Sequence, residues 1–128
     1  MIRPKACLAA LILAAPFAAS AQDAGIIRHP IPSSDFPIAQ AIEIPAGATR
    51  VLLSGTVPAP ADGSADPNSI AAYGETETQT VSVLKQIETK LQDMGLSMGD
   101  VVKMQVFLVG DPARGGKGDV AGFMEGYT

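Results

Sequence analysis

The sequence predicts an α+β domain, and three observations carry that prediction. Residues 76–96 repeat apolar side chains at helical spacing, residues 101–109 alternate with a period of two, and residues 119–127 return to helical spacing. Helix and strand signals that follow one another through Pro- and Gly-containing loops point to sheet and helices packed on a common core. A chain of 128 residues leaves room for one such domain.

The first 21 residues stand outside it. Arg3 and Lys5 precede an apolar run, Ala6 to Ala15, and Ala19-Ser20-Ala21 follows. A basic start, a short apolar centre and an A-x-A site predict a secretory signal peptide cleaved after Ala21, hence a periplasmic or secreted protein. The run is too short for the roughly 20 residues that span a bilayer as a helix, so no membrane partner is expected. Cys7, the only cysteine, lies inside this leader. The mature chain would therefore carry no disulfide, no thiol nucleophile and no thiolate metal site.

Residues 22–35 lack a period and contain Pro30 and Pro32, which reads as an extended arm. The domain proper is placed at residues 36–128. Within it, 41-AIEI-44 predicts a short strand and 45-PAGA-48 a turn. The stretch 50-RVLLSGTVP-58 predicts the hairpin partner of that strand. Gly55 breaks its side-chain pattern, and a glycine inside a strand marks a bulge or a close backbone approach. Residues 58–74 form a loop by composition.

In 76-TETQTVSVLKQIETKLQDMGL-96, Val81, Leu84, Ile87, Leu91 and Met94 form one stripe, widened by Val83. Thr76 and Gln79 predict a capping box, Glu75 and Glu77 suit the positive end of the dipole, and Gly95 suits the left-handed position past the C-terminus. In 101-VVKMQVFLV-109 one face is wholly apolar (Val102, Met104, Val106, Leu108) and the other mixed. The pure face is expected under helices. After the loop 110-GDPARGGKG-118, Asp119 predicts an N-cap, and Val120, Phe123, Met124 and Tyr127 form a two-turn amphipathic stripe. That helix reaches Thr128 with no cap, which reads as a domain fragment whose last strands are missing.

Charge and motifs exclude more than they assign. The formal net charge is −4 and the basic residues are scattered singly, which disfavours nucleic-acid binding. The glycine loop 110–118 has the wrong spacing for a phosphate loop. The segment 62-DGSADPN-68 does not follow calcium-loop order and reads as Asx-turns. His29, the one histidine, has no partner nearby in sequence for a triad or a metal site. Glu75 and Glu77 read as helix-start charges and not as an acid–base pair. The residues by themselves thus give a secreted α+β domain with no metal site and no identifiable catalytic residue.

Three stretches add to this: 54-SGTVP-58, 78-TQTVSVLKQIETKLQDMGLSMGDVVKMQVFLVGD-111 and 119-DVAGFMEGYT-128. In this order they resemble the Rid family, the reactive-intermediate deaminases also labelled YjgF-like or L-PSP endoribonuclease-like. The resemblance runs from about Phe36 to Thr128. It implies a chorismate-mutase-like fold, a mixed sheet with two helices on one face, incomplete in this chain. It implies a homotrimer with ligand clefts between subunits, a carboxylate-bearing small-molecule ligand, and hydrolysis of enamines or imines to 2-oxo acids and ammonia without cofactor or metal. On it, Ser54, Gly55, Ile38, Phe107, Met124 and Tyr127 would line the cleft, and a side chain at Gly55 would fill it. The family's carboxylate-clamping arginine and late glutamate match positions after Thr128, so no catalytic residue is assigned within the chain. Two positions depart from the active pattern: Ile38 stands where a tyrosine is expected, and Met124 where an asparagine is. Both changes point to a more apolar ligand or to a non-catalytic member. The three readings carried forward are a hydrolytic deaminase, a ligand- or protein-binding trimer of the same fold, and, least favoured, a ribonuclease.

Overall fold

The computed structural model describes residues 25–128; the predicted leader and cleavage site lie outside these residues. The elements run β1 (Ile27–Pro30), β2 (Ala39–Glu43), α1 (Thr76–Gln92) and α2 (Val120–Tyr127), with short 3-10 turns at Ile70–Ala72, Met98–Asp100 and Pro112–Arg114. The class is α+β: a two-stranded antiparallel sheet and two packed helices. No helix among the described residues is long and apolar enough to cross a membrane.

The sheet does not use the hairpin expected from the sequence. β2 pairs with β1, from the supposed arm, in the register Ile27↔Glu43, Arg28↔Ile42, His29↔Ala41 and Pro30↔Ala39. The irregularity falls between His29 and Pro30, where proline cannot donate to a ladder. Four residues ending in proline carry too little alternation to announce a strand. The pairing also supplies the partner His29 lacked in sequence: its Nε2 lies 2.7 Å from Glu43 Oε1 on the exposed ladder.

Residues 50–57 and 101–109, expected as strands, join no ladder among the described residues. The second keeps part of the burial alternation of a strand. Val102, Met104 and Leu108 are partly covered and Lys103, Gln105, Phe107 and Val109 exposed, but Val106 of the inward face is 44% exposed and Val101 of the other face is partly covered. Side-chain period fixes which face turns inward; a strand also needs a neighbour, and period says nothing about that. The first stretch is strapped to α1. Lys90 Nζ donates to Thr56 Oγ1 at 2.8 Å, Gln86 Nε2 to the Val57 carbonyl at 3.0 Å, and Ser82 Oγ accepts from Ala59 N at 3.0 Å. Positions 82, 86 and 90 form one i, i+4 row, so a single helix stripe holds the chain in place.

α1 follows its predicted bounds, with a different start. Glu75 is the N-cap residue, and Gln79 reaches back to the Gly74 carbonyl at 2.7 Å, so the Thr76–Gln79 capping box does not form. The end is as expected. Gly95 has φ +73°, Leu96 N–H bonds to Leu91 O at 2.8 Å and Gly95 N–H to Gln92 O at 2.9 Å, the paired bonds of a Schellman motif. α2 starts on Asp119, whose Oδ1 accepts from Gly122 N at 3.1 Å and pairs with Arg114 Nη1 at 3.2 Å.

The two helices meet along a seam of small residues. A Cβ at Gly126 would sit 2.8 Å from both Glu77 O and Thr80 Cβ, and one at Gly122 would sit 3.1 Å from Thr76 Cβ. Gly122 and Gly126 on α2 thus face Thr76 and Thr80 on α1, each pair one turn apart. The approach is close because no side chain intervenes. Thr80 is buried there with its hydroxyl bonded to Thr76 O, and Ala72 and Leu91 are the buried apolar residues among those described.

Candidate functional site

The glycine-rich and acidic loops turn out to be structural. In 110–118, Asp111 bridges to Lys117, and its Oδ1 accepts from Ala113 N at 2.8 Å. A Cβ at Gly110 would lie 2.3 Å from Gly116 O and one at Gly118 2.9 Å from Leu108 Cβ, so these glycines serve chain crossing. In 62–68, Asp62 accepts from the Ser64 amide and hydroxyl, and Asp66 from the Asn68 amide, the expected Asx-turns. The Ser64 hydroxyl, then its amide, hold the Asp62 carboxyl below the usual aspartate range. Similarly, Ser97 N–H and hydroxyl both donate to Asp100 Oδ2 at 2.8 Å and hold that carboxyl down. No group of His, Cys, Asp or Glu among the described residues is arranged to hold a metal ion.

One concave feature stands out, an open trough of about 990 Å³. Its walls come from three places in the sequence. The β1–β2 hairpin and the turn before β2 contribute Arg28, Phe36, Ile38 and Ile42; the stretch 98–106 contributes Val102, Lys103 and Met104; α2 contributes Phe123, Met124 and Tyr127. Two polar ties hold the walls together. Arg28 Nη2 donates to the Gly99 carbonyl and, at 3.5 Å, to that of Val101. Tyr127 OH donates to the Pro37 carbonyl at 3.3 Å, beside Ile38. The Phe123 and Tyr127 rings stack at 5.5 Å and 23°, which fixes the orientation of the α2 wall.

Opposite faces of α2 therefore do different work. Its glycine face packs on α1, while the aromatic and methionine side chains at the stripe predicted from sequence line the trough. Of the predicted pure face of 101–109, Val102, Met104 and Val106 line the trough and Leu108 does not, and Val101 and Lys103 of the other face line it too. Arg28 and Phe36 were not singled out; Phe36 lies in a turn without period, and only the β1–β2 pairing brings Arg28 to the rim.

The six sequence candidates divide evenly. Ile38, Met124 and Tyr127 come together in the trough. Ser54, Gly55 and Phe107 do not line it: all three are exposed, Phe107 at 83%. At Gly55 an added Cβ would meet no atom of this chain within 4 Å. Nothing within the described residues explains the glycine. Among the described residues, the side chains lining the trough include two cations, Arg28 and Lys103, and no carboxylate or imidazole.

No curated protein matches the chain. The family pattern described as Endoribonuclease L-PSP matches residues 34–116 of the 128. The matched span holds Ile38, Ser54, Gly55 and Phe107 and stops before Met124 and Tyr127. It includes α1 and both chain segments that flank it, so the match rests on most of the described fold; the chain belongs to the Endoribonuclease L-PSP family, the group also known as Rid or YjgF-like.

Proposed function

We propose that this chain supplies one wall of a small-molecule site in a hydrolytic deaminase of enamines, imines or related C–N compounds. The observation that carries the reading is the meeting of Ile38 and Met124, distant in sequence, in one trough beside Tyr127. Both are positions the Rid resemblance assigns to ligand contact. The trough's chemistry suits the reaction. Water adds to the imine carbon as one of its protons passes to nitrogen, the second proton follows as the C–N bond breaks, and ammonia leaves a 2-oxo acid. An apolar wall that limits bulk water keeps a reactive imine from wandering to other partners. The cationic rim at Arg28 and Lys103 favours a carboxylate-bearing substrate.

In this reading the site is completed by further copies of the chain in a homotrimer. Exposed Ser54, Gly55 and Phe107 would face that seam, and the open space over Gly55 would be where a neighbour or ligand approaches. Export to the periplasm or beyond follows from the leader. No cofactor is invoked.

A second reading is a trimer that holds its ligand without turnover. It is favoured by Ile38 and Met124, which are apolar where the resemblance expects a tyrosine and an asparagine. Ribonuclease activity, the family's older label, fits poorly with a net charge of −4 and an apolar trough. The assay that separates the readings measures ammonia released from an imine generated in situ by an amino-acid oxidase. Release above the uncatalysed rate supports the hydrolase; release at the uncatalysed rate over a range of imines rejects it.

A further inference from the structure

We draw no further inference here: the strongest candidate, the open apolar trough between the β1–β2 hairpin, residues 98–106 and α2, belongs to the site already described, and nothing in the structure shows what covers it.

Discussion

The two faces of α2 are built by opposite rules. Toward α1 it presents Gly122 and Gly126, and the backbones approach so closely that one added carbon would strike Glu77 O and Thr80. Toward the trough it presents Phe123, Met124 and Tyr127, large side chains beside about 990 Å³ of open space. The seam has no tolerance for volume, and the trough has much. A substitution that adds or removes a few atoms should therefore read out as stability on one face and as ligand selection on the other. That separation is the physical reason to look for function on the trough side.

The sharpest way to break the comparison is Gly126→Ala. Overpacking of a closed contact costs about 1–3 kcal/mol, and here one of the struck atoms is backbone, which cannot swing aside. A fall of that size in the denaturant-derived unfolding free energy is expected. An unchanged midpoint would mean the seam is looser than described. Next in size is Asp119→Ala, which removes the cap on Gly122 N–H and leaves Arg114 without its partner on α2. Loss of such a cap costs about 1 kcal/mol, and Asp119→Asn should recover part of it. Tyr127→Phe deletes the tie to the Pro37 carbonyl and keeps the stacked ring. A hydrogen bond of this kind contributes about 0.5–1.5 kcal/mol, and partial exposure puts this one at the low end. Ile38→Ser, on the trough side, should change stability by no more than about 0.5 kcal/mol, the range for exposed positions, while altering ligand preference.

The smallest expected effect concerns acid. Asp62 and Asp100 both have carboxyls held below their usual range, mainly by Ser64 and Ser97 respectively. A depressed folded pKa means that each stabilises the fold above its unfolded value of about 3.9. That stabilisation fades as pH falls through the lower folded value. Both groups are exposed, so the change is small. Asp100→Asn should flatten the acid limb of a stability–pH curve below about pH 4, with no effect at neutral pH on its slope.

The same contrast explains what could be read from the sequence. The helices were legible to within a residue or two because apolar spacing, Gly95 and the Asp119 cap are local signals. The faces of 101–109 were legible in part: Val102, Met104 and Leu108 are covered as expected, but Val106 is exposed, and Val101 and Lys103 reach the trough from the other face. The pairing of β1 with β2 was not legible, since Ile27–Pro30 is four residues ending in proline and its partner lies beyond an irregular turn. The capping of α1 was misjudged by one position: Glu75 took the N-cap place, and Gln79 found a nearer carbonyl. Of the candidate site residues, Ile38, Met124 and Tyr127 line one trough, and Ser54, Gly55 and Phe107 do not. Gly55 shows the limit. Its break in pattern is plain in the sequence, yet nothing among the described residues around it supplies a reason.

The account's central claim is that Ile38 and Met124 act on one ligand from two walls. A double-mutant cycle on the apparent affinity for an imine generated in situ tests it most directly, using Ile38→Ala, Met124→Ala and the pair. Residues that share a ligand couple by about 0.5–3 kcal/mol, so the two losses should fall short of, or exceed, their sum by at least the lower figure. Strict additivity, or affinity indifferent to both changes, would contradict the claim.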